Sequence, residues 1–528
     1  MTEEQDQLQG PAVSSCTGEN DSGPAAVGVT TPMPVVHESG EIRRLGNELT
    51  AIPGIRAIFV FALVLGALSA SYAIFEARDF DADGPQYLIM AMMRGGLYFG
   101  EPARVSVQFL QQFFSFVAYR LGGTDLLTYG RLMTLGMQGW PLLLTALAWF
   151  VLPRGQKPWI LGPLLNIAVV IPTTSFMGIG EGTIASCLMW LLYFLVEFRM
   201  KSVFTGVITL ALAVGCFYLH ESAFLFMLGI SLLSFSRARE ARGVAFLFYV
   251  LVGIAALASS IHLFYFVVFP RDSSERGAFL IGLLVEFLVT PQGPGFNLPT
   301  VAALFFGACL FLVHFPRHLS DEQRQRRVIA ACKVAGVIFA LIAVLFLVLP
   351  EWVIIPHAYF AARGLPVIMT TLMAGMTHFM LRTGWTADRL VPARIRILLI
   401  AIISLQLLVQ TVMTQHWTSY RRDLAELVAT HQGVIDWNTA SEALNPHKTF
   451  FRRHLIRAWS VEPLSIVLAP NSHVLSLVDA RPGIKWRAFD PLDPGSLPLC
   501  AKGLDWSQYL RAIGETSFDV KTDCQVRR

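Results

Sequence analysis

The chain has 528 residues, 54% of them hydrophobic and 15% charged, with a formal net charge of +4. So high an apolar share exceeds what one soluble core needs, and the sparse charge excludes both a strongly basic nucleic-acid binder and an acidic disordered chain. The class that remains is mainly α, a polytopic helical membrane protein, because each crossing of the hydrocarbon takes about 20 mostly apolar residues as a helix.

Residues 1–41 are rich in Gly, Pro, Ser, Thr and acids without apolar periodicity, which predicts a disordered cytoplasmic tail. Positive charge and apolar sequence begin only after residue 42, so the first apolar run reads as an anchor and not as a cleavable signal. Residues 42–416 form the membrane domain. Their apolar runs predict about eleven spans, near 57–75, 130–152, 158–176, 182–198, 203–219, 222–236, 244–269, 298–315, 328–349, 362–381 and 396–416.

Basic clusters and acidic or histidine-bearing breaks alternate along this stretch. RR at 43–44, RGQK at 154–157, RMK at 199–201, RAREAR at 237–242, the run 317–327 and the run 382–396 belong on the cytoplasmic side. They mark topology at membrane edges and predict no nucleic-acid partner. The intervening breaks then face outward, which places the chain in the plasma (inner) membrane with its N-terminus inside and its C-terminus outside. Counting 103–121 as another span would put RGQK and every later basic cluster outside, so this run reads as an interfacial helix of the first outer loop, 76–129.

In the outer loop 271–297, the run GAFLIGLLVEFLV is apolar but too short to span and ends in TPQGPGF. It is either an interfacial helix that covers a lipid chain or a re-entrant packing element. From 417 the composition turns polar, and 417–528 read as a small non-cytoplasmic α+β appendage. SIVLAP at 465–470 and HVLSLVDA at 473–480 are expected as strands, and 419–431 and 505–513 as helices. Of the seven cysteines, Cys500 and Cys524 alone share the outer compartment, as a disulfide or as two free thiols.

Once the spans are drawn, chemistry-bearing residues collect on the outer face. Asp79, Asp81 and Asp83 lie in the first outer loop, Glu181 in the second, His220 and Glu221 in the third, Arg271 in the fourth, and His357 and Arg363 in the fifth. Carboxylates beside arginine and histidine suit an anionic substrate and proton transfer. Asp83 has two readings: a cap for the helix opened by Gly84-Pro85, or a general base whose pKa is raised by neighbouring carboxylates. Glu181, His220 and Glu221 read equally as loop and turn residues. Walker, GxSxG, CxxC and HExxH motifs are absent from the sequence.

Asp83, Tyr87, Met93, Gly96 and Tyr98, with Glu181 and the loop 271–297, resemble the pattern of class C glycosyltransferases, polytopic enzymes that use polyprenyl-phosphate sugars on the non-cytoplasmic face. Gly84 stands where that family carries Glu. The resemblance covers mainly 57–300 and implies transfer of a sugar from a polyprenyl-phosphate donor to an envelope lipid or polysaccharide. Asp83, or else Asp81 or Asp79, is then the base, and Tyr87, His220, Glu221, Arg271, His357 and Arg363 contact substrate. Asp81, Asp83 and Glu181 offer oxygen ligands suited to Mg²⁺ or Mn²⁺, which the chemistry accommodates without requiring. The rival classes are a transporter or flippase and a non-catalytic subunit of an envelope assembly system.

Overall fold

In a computed structural model of the chain, the described residues are 54–167 without 82, 123 and 124, 181–269 without 201, and 322, 323, 326 and 330. They continue with 359–382, 393–445, 455, 458–470, 473–479, 489, 497–499, 501 and 504–514. Residues 1–41, 271–297, His357, Cys500 and Cys524 lie outside them, as do the span expected at 298–315 and, apart from residue 330, the span expected at 328–349.

The first half is a helical bundle. Its elements are α1 (Ile55–Phe75), α2 (Gly84–Met93), α3 (Val105–Arg120), α4 (Leu126–Val151), α5 (Leu161–Leu165), α6 (Glu181–Phe198), α7 (Val203–Gly215), α8 (Phe224–Glu240) and α9 (Gly243–Val268). Among the described residues, five helical segments are long and apolar enough to cross a membrane: Ile55–Phe75, Leu126–Val151, Glu181–Phe198, Glu221–Glu240 and Gly243–Val268. Each coincides with an expected span. Large aliphatic side chains along α1 and α9, such as Val60, Val64, Leu68, Ile254 and Ile261, are exposed, the arrangement a bilayer would cover. Inside, α6 is buried along nearly its whole length, with Trp190 and Phe194 at 0% exposure at the bundle centre.

Side-chain contacts fix the helix directions. Phe59 of α1 stacks on Trp149 of α4 with ring centroids 4.4 Å apart, and Arg131 at the other end of α4 donates to the Phe75 carbonyl at 2.9 Å. Arg199, just after α6, donates to the Val151 carbonyl at 2.6 Å. The α1–α2 turn and the starts of α4, α6 and α8 therefore share one end, while Arg154, Arg199, Arg237 and Arg239 gather at the other. Below these are called the acidic end and the basic end.

α3 is the helix expected at 103–121. It lies antiparallel to α4, with Trp140 Nε1 donating to the Leu110 carbonyl at 2.9 Å. A Cβ added at Gly136 would sit 2.2 Å from the Gln111 carbonyl, so glycine is what permits the close approach. The polar stripe of α3 faces the protein interior, where Gln108 meets Tyr87 and Glu181 and Gln112 meets Tyr98.

The second half holds α10 (Tyr359–Arg382), α11 (Ala393–Thr430), β1 (Gly433–Asp436), α12 (Trp437–Leu444), α13 (Ala458–Val467), β2 (Ser476–Asp479) and α14 (Ser507–Ala512). Two corrections arise. Where helices at 396–416 and 419–431 were expected, one unbroken helix of 38 residues runs through, since residues 393–430 include neither Gly nor Pro. SIVLAP at 465–470 is not a strand: 465–467 close α13, whose run includes Pro463. β1 and β2 pair in parallel, Gly433 opposite Ser476 and Asp436 opposite Asp479.

The region after 417 and the first loop share a hydrophobic core. Ala77, Phe80, Leu88, Ile89, Met92, Leu126 and Tyr129 cluster with Trp417, Tyr420, Leu424, Val461, Leu464, Val478 and Trp506. The acidic turn is thus roofed by the C-terminal elements.

Candidate functional site

The turn after α1 folds tightly. Ala77 takes a left-handed conformation (φ 49°, ψ 45°), costing about 1–2 kcal/mol, and swings the chain into a 3₁₀ turn over Arg78–Phe80. α11 holds that strained corner. Trp417 Nε1 donates to the Glu76 carbonyl at 3.0 Å, Arg421 pairs with the Glu76 carboxylate at 2.8 Å, and Arg78 donates to Gln410 Oε1 at 2.9 Å and to Thr414 at 3.3 Å.

Asp79 is buried beside Arg78, 3.8 Å away, and accepts from Gln138 of α4 at 2.9 Å. Burial pushes its carboxyl above the ordinary value, and Arg78 and Gln138 oppose that shift without reversing it. Phe80 packs on Gly130 of α4, where a Cβ would fall 1.3 Å from the ring. Asp81 is buried at 3% exposure.

Asp83 occupies the N-cap position of α2, half-buried, yet its side chain makes no capping hydrogen bond. The capping reading of its carboxylate is therefore not what the structure displays. A Cβ added at Gly84 would lie 2.4 Å from the Asp79 carbonyl oxygen, so this backbone has no space for the Glu that class C enzymes carry there.

A second cluster forms where α3, α6 and α8 begin. Arg104 sits in the short 3₁₀ turn before α3 and bridges two carboxylates. Its Nε donates to Glu221 Oε2 at 2.9 Å, its NH2 donates to Glu221 Oε1, and its NH1 reaches Glu181 Oε2 at 2.7 Å. The other Glu181 oxygen accepts from Gln108 Nε2 at 2.7 Å, and that amide also reaches the Tyr87 hydroxyl at 3.2 Å. Burial alone would drive the guanidinium toward neutrality; the facing carboxylates of Glu221 and Glu181 outweigh it and lock Arg104 in the charged form.

His220 Nδ1 accepts the Ser222 backbone N–H at 3.2 Å and lies 3.6 Å from Glu221 Oε2. An acceptor Nδ1 assigns the ring proton to Nε2 in the neutral form.

Of the residues singled out from the sequence, Tyr87, Glu181, His220 and Glu221 are thus brought together, and Tyr98 joins them. Its ring meets Tyr87 edge-on at 5.1 Å, and Gln112 of α3 holds its backbone N–H and carbonyl at 2.9 and 2.7 Å. Gly96 has φ +108° and packs under Tyr119, while Met93 is exposed. Asp79 and Asp81 belong to the α11-anchored turn. No group of three His, Cys, Asp or Glu side chains that would suit a metal ion gathers among the described residues, and both Glu181 oxygens are engaged by Arg104 and Gln108. Arg271 and His357 lie outside the described residues, and Arg363 is placed only by its backbone in α10.

The residue missed was Arg104. Its signal was electrostatic: two carboxylates next to apolar spans need a cation, and Arg104 stands alone between Pro102 and an apolar helix.

Fold and site together define a helical membrane-type bundle with a buried ionic cluster and an acid-lined turn at one end. No family model, no curated protein and no solved structure matches the chain.

Proposed function

We propose that the protein is an inverting membrane glycosyltransferase that moves a sugar from a polyprenyl-phosphate donor to an envelope lipid or polysaccharide. On this reading the about eleven spans of the sequence map apply. The basic end is cytoplasmic, the acidic end faces outward, and the protein resides in the plasma membrane with its N-terminus inside.

The observation that carries the reading is Asp83. It lies at the acidic end, half-buried, with its carboxylate not spent on capping α2. Acting as base, that carboxylate takes the proton of the acceptor hydroxyl while the hydroxyl oxygen bonds to the anomeric carbon. The bond to the donor phosphate breaks with inversion, and the phosphate leaves on its lipid. Such proton transfer contributes roughly 10²- to 10⁴-fold. Asp79 is buried beside Arg78 and accepts from Gln138, and both Glu181 oxygens are engaged by Arg104 and Gln108. His220, Arg271 and Arg363 are the proposed contacts to the leaving phosphate, and a Mg²⁺ or Mn²⁺ ion at Asp81 and Asp83 is compatible with this scheme. An apolar groove of about 450 Å³ between α1 and α11, lined by Leu65, Leu68, Tyr72, Leu407, Leu408 and Thr411, gives the lipid chain a course toward the turn.

One observation favours a transporter instead: the Arg104 cluster is enclosed by helices of spanning length, where ionisable groups often mark a translocation path. The Asp83→Asn variant separates the two. Asn keeps the size of Asp, and the Asp83 side chain makes no capping hydrogen bond, so in proteoliposomes with a polyprenyl-phosphate sugar the variant should fold normally and lose transfer by at least about 100-fold. Unchanged transfer removes Asp83 as base. Absence of transfer by the wild-type protein, with movement of the lipid between leaflets, favours the transporter.

A further inference from the structure

Gln108, Gln111, Gln112 and Ser115 recur at i, i+3, i+4 and i+7, so they form one face of α3, and all four are buried. Part of that face is satisfied. Gln112 brackets Tyr98, Ser115 donates to the Gln112 carbonyl at 2.8 Å, and Gln108 Nε2 serves Glu181 and Tyr87. The rest is not. Among the described residues, Gln108 Oε1 has no hydrogen-bond partner, and Gln111, at 0% exposure, has none for either its Oε1 or its Nε2. An interior amide left unmet at both ends is costly, and such groups in a folded protein call for a partner.

The unmet atoms specify that partner. One donor and two acceptors, all uncharged, stand on a face that meets Tyr87 and Tyr98, two rings packed edge to face on each other. An anion would be drawn to the Arg104 guanidinium instead of to amides. An apolar group would leave all three atoms unmet. Hydroxyl groups each donate one hydrogen bond and accept others, and two adjacent hydroxyls match the side-by-side oxygen and NH₂ of one glutamine. We propose that the glutamine face of α3 is the subsite for a neutral, hydroxyl-rich sugar ring, with the Gln111 amide bonding two adjacent hydroxyls and Gln108 Oε1 accepting from a third. The assignment deepens, and rests on, the glycosyltransferase reading. Water shares the same hydrogen-bonding chemistry and is the alternative occupant.

The test uses the full chain in phospholipid nanodiscs and free monosaccharides as probes: arabinose, xylose, glucose, galactose and mannose. Saturation-transfer NMR reads sugar contact, and the thermal midpoint reads folding. Gln111→Leu keeps nearly the same volume and removes both unmet atoms. At least one sugar should bind the wild-type protein and bind Gln111→Leu at least tenfold more weakly, with the sugar-free midpoint of that variant unchanged or raised. Should that midpoint fall, Gln111→Asn, which keeps the amide but withdraws it by one methylene, must also lose the sugar. No binding by the wild-type protein, or equal binding by the leucine or asparagine variant, overturns the proposal and leaves water as the occupant. Transfer that is intact while sugar binding ignores Gln111 sinks the subsite alone. Gln111-dependent sugar binding without any transfer sinks the transferase reading alone.

Discussion

Arg104→Met removes the one cation that two buried carboxylates share. Glu181 is 1% exposed and Glu221 11% exposed at the side chain, so neither can recover its hydration in place. Taking one partner from a buried ion pair typically costs about 3–5 kcal/mol, because a desolvated charge is left behind. Here two such charges are left, partly offset by the Gln108 amide on Glu181 and by His220 beside Glu221. A loss of about 3–5 kcal/mol is therefore the expectation. The origin of that loss is testable. If it comes from stranded charge, adding Glu181→Gln and Glu221→Gln to Arg104→Met should recover most of it, since neutral amides of the same shape carry no such penalty. Arg104→Lys should fall between, because one ammonium cannot reproduce the forked geometry that spans both carboxylates. The assay is the thermal midpoint in nanodiscs followed by tryptophan fluorescence, read as the order wild type, lysine variant, methionine variant, with the triple variant well above the methionine variant. A methionine variant as stable as wild type, or a triple variant less stable than the single one, refutes the reasoning.

The raised carboxyl of Asp79 sets a pH dependence. A group whose folded pKa exceeds its unfolded value contributes stability below the unfolded value, near 3.8, and loses it as pH rises through the folded value. Asp79→Asn lacks that slope, so the midpoint difference, variant minus wild type, should climb as pH goes from 4 to about 7; a flat difference contradicts the burial argument. Gly84→Ala forces a methyl to within 2.4 Å of the Asp79 carbonyl oxygen and should cost about 1–3 kcal/mol, visible as a lowered midpoint. An enzyme reporter fused after Trp417 should read outside and one at Ser320 inside; both on one side would dismantle the proposed topology.

Apolar run length was enough to locate α1, α4, α6, α8 and α9, because the cost of leaving backbone polar groups unbonded in hydrocarbon permits few alternatives. Among the described residues, the basic breaks near 154, 199 and 237–239 lie at one end of the bundle and the acidic ones near 76–81, 181 and 221 at the other. Pairings across the chain were not legible. Arg104 meets Glu221 across 117 positions and Arg78 meets Gln410 across 332, and no local pattern encodes such contacts. The polarity change at Trp417 was taken for the end of a helix, yet a change of surroundings does not interrupt a backbone that lacks Gly and Pro. SIVLAP illustrates another limit: a short apolar run fits a buried strand or the end of a buried helix equally well. The glutamine stripe of α3 was not read from the sequence, since its inward direction depends on partners contributed by α2 and α6.

α11 serves as a ruler. Gln410, Thr414, Trp417 and Arg421 grip the turn after α1, and Leu424 and Val428 continue the same stripe into the core beneath the parallel strands. Each residue along it advances about 1.5 Å and turns about 100°. A one-residue insertion between Arg421 and Leu424 would rotate everything beyond by that angle and aim the roof away from the carboxylates it covers, whereas seven residues, close to two full turns, would preserve the facing side and only lift it by about 10 Å. The permitted lengths of this segment are therefore quantised by helical pitch, a constraint on insertions and deletions that no single substitution reveals.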